Sequence, residues 1–142
     1  MTAGWQVWAF GAAAFAALTA IFAKVGVEGV PSDYATLIRT IVILALVAGI
    51  VAVTGEYKPL HEISGRTLVF LVLSGLATGA SWLCYFRALK LADASRVAPV
   101  DKLSVVLVAV FGALFLGERL GARAWLGIGL IFVGVLLVMA RK

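Results

Sequence analysis

Ser32-Asp-Tyr-Ala-Thr-Leu-Ile-Arg-Thr-Ile-Val-Ile-Leu-Ala-Leu-Val-Ala-Gly-Ile-Val-Ala-Val53 has no polar side chain after Thr40. An α-helix needs roughly 20 such residues to cross about 30 Å of hydrocarbon. The stretch shows no alternation of apolar and polar positions, so it does not suit a barrel strand. Four more runs of the same kind flank it: Trp5–Val25, Thr67–Lys90, Ala94–Leu116 and Ala122–Ala140. The expected fold is an all-α membrane protein, residues 1–142 forming a single domain of five transmembrane helices. Composition agrees. The chain is 63% hydrophobic and 13% charged, whereas soluble domains run at roughly 45–50% and 25%.

The net charge of +5 does not indicate a nucleic-acid binder, because no basic run or interleaved aromatic platform accompanies it. Lys and Arg instead fall mostly at the ends of apolar runs, where they anchor helices and reach toward headgroups. Cys84 is the one cysteine and His61 the one histidine, which excludes an internal disulfide and leaves no metal or cofactor site in view. No cleavable signal peptide is expected: Met1-Thr-Ala-Gly4 carries no basic side chain and the first apolar run is too long. The connections carry turn chemistry. Gly26-Val-Glu-Gly-Val-Pro-Ser32 offers Ser32 or Asp33 as an N-cap, residues 55–66 form the longest polar link, and Gly117-Glu-Arg-Leu-Gly121 is a tight turn.

Short loops make successive helices alternate in direction. The end of the first, the start of the second, the end of the third and the start of the fourth therefore share one membrane face. Lys24, Arg39, Tyr85, Arg87, Asp101 and Lys102 belong to those ends, with Trp82 at similar depth. Ionisable groups inside the bilayer are costly and mark a function or a tight pairing. Arg39 stands out. It shares a helix face with Thr36 and Thr40 and lies roughly 9 Å along the axis from Asp33. Arg39 is expected to line the bundle interior and to pair with Asp101. Asp101 and its neighbour Lys102, about 100° apart on a regular helix, are expected to diverge. Pro99 either opens the fourth helix or, if that helix begins near Asp93, lies inside it and frees the carbonyl of Ser95. The opposite face has Lys58, Arg66, Glu118, Arg119 and Arg123, mostly in loops. Glu118 is expected there to pair with Arg119 or Arg123.

Small residues are spaced for close helix packing: Ala12, Ala16 and Ala20; Gly75 and Gly79; Gly127 and Gly134. Both contacts within one chain and a seam between chains fit that spacing.

The segments Tyr85-Phe-Arg-Ala-Leu89, Ala98-Pro-Val100, Leu116-Gly-Glu118 and Trp125-Leu-Gly127, followed by Gly134-Val135, resemble the EamA family of the drug/metabolite transporter superfamily. The likeness covers essentially the whole chain and implies one five-helix repeat. Typical members have two such repeats in inverted orientation and move small metabolites. Gly127-Ile-Gly-Leu-Ile-Phe-Val-Gly-Val135 is also similar to the dimerisation helix of small multidrug resistance proteins, which work as antiparallel dimers. Those exporters use a glutamate in their first helix. The first run here has none, and Arg39 and Lys102 outnumber Asp101, which speaks against export of cationic drugs.

The function expected is secondary transport of a small polar or anionic metabolite across a prokaryotic plasma membrane. Arg39 and Lys102 attract the substrate's negative group, Asp101 neutralises them when the site is empty, and Trp82 and Tyr85 pack against the substrate. A helper subunit, or half of a heteromeric flippase for a lipid-linked sugar, is the competing expectation. An enzyme is the least supported class, since no nucleophile–base pair appears. A homodimer is expected, with Gly127 and Gly134 in its seam. The loop charges, four on the N-terminal face (Lys58, Arg66, Arg119, Arg123) against Lys24, Arg87, Lys90, Arg96, Arg141 and Lys142, are near enough to balance for an antiparallel one.

Overall fold

The computed structural model of the protein describes residues 4–140. Its elements are α1 (Gly4–Gly26), α2 (Ser32–Thr54), α3 (Gly65–Leu91), α4 (Ala94–Asp101), α5 (Leu103–Phe115) and α6 (Ala122–Ala140), with a 3-10 turn at Leu60–Glu62. Five helical stretches are long and apolar enough to cross a membrane, α4 and α5 together making one of them. The chain is a multi-pass membrane protein. Met1 to Ala3, Arg141 and Lys142 lie outside the described residues, and with them two of the loop charges counted above.

The helix ends follow from local chemistry. Gly55 and Gly117 both have φ 68°, a left-handed conformation that costs a residue with a side chain about 1–2 kcal/mol. At Gly55 the turn returns the backbone N–H to the Val51 carbonyl at 3.0 Å. Helix α3 begins two residues before the apolar run because Ser64 caps it, its Oγ accepting the Thr67 N–H at 3.1 Å. The start of α2 differs from expectation. Pro31 occupies the cap position and no side chain caps the helix. Ser32 is already helical, and its hydroxyl donates to Asp33 Oδ1 at 3.2 Å.

The fourth span is broken. Asp93 precedes α4 and Pro99 lies inside it, so the carbonyl of Ser95 loses its usual helical donor. Three residues on, the Lys102 N–H is shared between Ala98 O at 3.3 Å and Pro99 O at 3.1 Å, and Lys102 O accepts from Val105 at 3.0 Å. These short-range bonds tighten one turn between α4 and α5. The tightening brings Lys102 Nζ to 3.4 Å from Asp101 Oδ2. On a regular helix the two side chains would diverge; here they meet.

The chain forms two compact units, one of Phe22–Leu91 and the other of the residues on either side of it. In the first unit α2 packs against α3; in the second α6 packs against both α4 and α5. Most large apolar side chains, Leu44, Val53, Phe70 and Leu137 among them, stay exposed on the helices, as hydrocarbon-facing surfaces require. Among the described residues, the glycines expected to mediate close packing have no close neighbour. A methyl group placed on Gly75, Gly79, Gly127 or Gly134 would meet nothing within 4 Å.

Candidate substrate site

In the unit of Phe22–Leu91, α2 leaves one membrane face as α3 returns to it, and polar contacts join the two helices at successive depths. Outermost, Arg87 of α3 grips Asp33 of α2 with two hydrogen bonds, Nε to Oδ1 at 3.1 Å and Nη2 to Oδ2 at 2.8 Å. Beside this pair, Lys24 in the last turn of α1 donates to the carbonyl of Leu89 at 2.8 Å, filling an acceptor left over at the end of α3. Val27, Thr36, Phe86 and Leu89 are the buried side chains of this region. Trp82 and Arg39 form the inner level. The Arg39 guanidinium carbon sits 3.8 Å from the centroid of the Trp82 ring and 5.5 Å from that of Phe86.

A contact at 3.8 Å puts the cation against the negative face of the indole. In a partly desolvated place such a contact contributes about 1–2 kcal/mol, well short of what a carboxylate would supply at that depth. None does within this unit: Asp33 is engaged by Arg87, and among the described residues of the unit no carboxylate forms an ion pair with Arg39. The threonines on its face make no hydrogen bond with it; their hydroxyls donate to backbone carbonyls instead. Thr36 Oγ1 donates to Ser32 O at 2.9 Å and Thr40 Oγ1 to Thr36 O at 2.8 Å. Arg39 therefore presents a guanidinium with one face covered by an aromatic ring.

The residues singled out from the sequence divide between the units. Arg39, Trp82 and Tyr85 lie in the first; Arg39 and Trp82 are in direct contact, and Tyr85 is half-buried in the next turn of α3. Asp101 and Lys102 lie in the second, where they pair with each other. The acid expected to serve Arg39 thus has a partner on its own span. Two participants escaped the sequence. Phe86, the second ring near Arg39, follows Trp82 by four residues, a helical spacing that would have flagged it. Asp33 had the look of a cap; its partner, 54 residues away, carries no local signal. Among the described residues no three His, Cys, Asp or Glu side chains gather into a group able to hold a metal ion.

In the other unit, after α5, Glu118 does not pair with Arg119 or Arg123. Its carboxylate folds back over Gly112 in the last turn of α5, where a Cβ on the glycine would lie 2.6 Å from Oε2. The Glu118 N–H also bonds to Gly112 O at 3.1 Å. The missing side chain at Gly112 makes room for this return.

A family model described as the EamA-like transporter family matches residues 3–140. A Sinorhizobium protein named an uncharacterized transporter in the cobO 3' region is 64% identical over 138 residues, 97% of this chain and 98% of the relative. A probable 4-amino-4-deoxy-L-arabinose-phosphoundecaprenol flippase subunit ArnE of Hamiltonella defensa is 32% identical over 73 residues, 51% of this chain and 66% of the relative. A riboflavin transporter of Rhizobium johnstonii is 34% identical over 79 residues, 56% of this chain but 26% of the relative. No solved structure matches.

Proposed function

Because the chain belongs to the EamA-like transporter family, we propose that it is a five-helix unit of a secondary transporter for a small polar or anionic metabolite in a prokaryotic plasma membrane. The observation that carries this reading is the Arg39 guanidinium, held against Trp82 within a span and without an acidic partner in its own unit. A cation at that depth gains most when a substrate anion arrives. Trp82 orients the guanidinium, and Tyr85 lines the approach. Asp101 and Lys102, at the break in the fourth span, supply a second polar group whose internal pairing a substrate or a proton can exchange. Broken helices of this kind recur at the sites of transporters.

Alternating access in inverted-repeat transporters uses two related units. Such a pair here is an antiparallel homodimer, with the open α6 surface at Gly127 and Gly134 in its seam. The near balance of loop charges supports insertion in both directions. Uptake into proteoliposomes, screened against a mixture of metabolites, tests the transport reading. Arg39→Ala is expected to abolish uptake while the protein remains inserted and monodisperse; full activity in that variant removes the site. For orientation, Glu56→Cys and Lys90→Cys in a Cys84→Ser background report the two faces. Labelling of each from both sides of intact cells is expected for the antiparallel pair, and one-sided labelling excludes it.

A second reading has its own support, the similarity to proteins named as subunits of a phosphoundecaprenol-linked sugar flippase. Under it the chain pairs with a different five-helix protein and turns over a lipid-linked substrate. Co-purification of a distinct small membrane protein at equal stoichiometry, with no uptake by this chain alone, is the result that selects it.

A further inference from the structure

Resting on the assignment of Arg39 as the anion-binding group, we propose that the Arg39–Trp82 stack is a charge-selective receptor: it takes a singly charged oxyanion with two equivalent oxygens, a carboxylate or a phosphodiester, edge-on, and rejects doubly charged phosphate monoesters.

The geometry sets the direction of approach. With its carbon 3.8 Å from the Trp82 centroid, the guanidinium has one face blocked, and Phe86 at 5.5 Å crowds it further. The π faces of both rings are negative and repel an anion. What remains for the anion is the N–H edge, whose paired donors match two oxygens of one group.

Charge accounting sets the valence. The other cations of this unit near the same membrane face are engaged or distant. Arg87 spends Nε and Nη2 on the two oxygens of Asp33. Lys24 donates to the Leu89 carbonyl. Lys90 lies eight residues beyond Trp82 in α3, about 12 Å along the axis. Within this unit, and with Lys102 still paired to Asp101 in the other, one positive charge is therefore offered at the inner level. A monoanion leaves it neutral; a dianion leaves a surplus negative charge beside two π faces in a medium that penalises it. The two sources of a suitable group, a water-soluble organic acid and the phosphodiester of a lipid-linked substrate, correspond to the two functional readings above.

The test uses the full chain in a phosphate-free maltoside detergent, with Trp5→Phe, Trp8→Phe and Trp125→Phe leaving Trp82 as the sole tryptophan. Its emission is followed while benzoate, diethyl phosphate, phenyl phosphate or the neutral isostere benzamide is added. Benzoate or diethyl phosphate is expected to give a saturable change, and benzamide none. At pH 8 phenyl phosphate, then a dianion, is expected to bind about tenfold or more weakly than the better monoanion. It should recover most of that deficit at pH 5, below its second pKa of about 6. A response to benzoate alone identifies the soluble-acid source and a response to diethyl phosphate alone the phosphodiester source; either supports the receptor. Arg39→Gln is expected to lower affinity about a hundredfold, and Arg39→Lys, which keeps the charge but not the fork, about tenfold. Phenyl phosphate binding at pH 8 as tightly as the monoanions overturns the charge selectivity while leaving Arg39 as the anion site. Unchanged affinity in both Arg39 variants, or no saturable response to either monoanion, overturns the receptor itself.

Discussion

Arg87 holds both carboxylate oxygens of Asp33, at 3.1 and 2.8 Å, and so ties the first turn of α2 to the next-to-last turn of α3 across 54 residues of sequence. The same antiparallel register carries Arg39 to Trp82. One helix pair therefore has a neutral rung near the membrane face and a cationic rung about 9 Å inward.

If that outer rung sets the register, Asp33→Ala and Arg87→Ala each lower the melting temperature of the detergent-purified protein. The exchange Asp33→Arg with Arg87→Asp restores most of the loss, because a reversed pair keeps the bridge. A double exchange no better than the single variants would show that the bridge does not hold the helices together. Fluorescence-detected size-exclusion chromatography after heating reads this directly.

Gly117 and Gly49 separate conformational need from mere smallness. Gly117 has φ 68°, so Gly117→Ala is expected to destabilise by about 1–2 kcal/mol through the left-handed backbone alone. Gly49 lies within α2 with open space around it, and Gly49→Ala is expected to be neutral or stabilising by up to about 1 kcal/mol. Thermal shift on the two variants side by side checks the contrast. Equal effects would place the cost elsewhere than in the Gly117 dihedral.

At the end of α5, Gly112→Ala is expected to displace the Glu118 carboxylate at modest cost, since the atom in the way is the far end of a long side chain. Gly112→Leu should cost more, and combining it with Glu118→Ala should recover part of the loss. Glu118→Gln is expected to lower expression at most. A change of substrate selectivity in that variant would extend the substrate path through the whole bilayer.

Gly127→Leu with Gly134→Leu tests the seam. Both positions are open within the chain, so the bulkier residues are expected to leave the folded monomer intact. They should reduce the cross-linked dimer in membranes, since close helix approach requires small residues. Unchanged cross-linking moves the seam off this face of α6.

The spans were legible from residue order alone because bilayer thickness and backbone hydrogen bonding constrain them independently of partners. Each of the five runs agrees with its helix to within two residues at either end. The turns at Gly55 and Gly117 were legible for a similarly local reason. Arg39 and Trp82 were recognisable as costly or unusual residues at one depth, but depth leaves open the rotation of each helix about its axis. That rotation sets partners, and it follows from side chains more than forty residues apart. Packing of α2 on α3 gave Arg39 an aromatic ring and gave Arg87 the acid that had resembled a helix cap. At the break, Lys102 meets its neighbour Asp101, whereas on a regular helix the two side chains point in different directions. Sequence determined where the chain crosses the membrane, because hydropathy acts residue by residue; only tertiary structure decided which charges are neutralised, because neutralisation requires atoms within about 4 Å of one another.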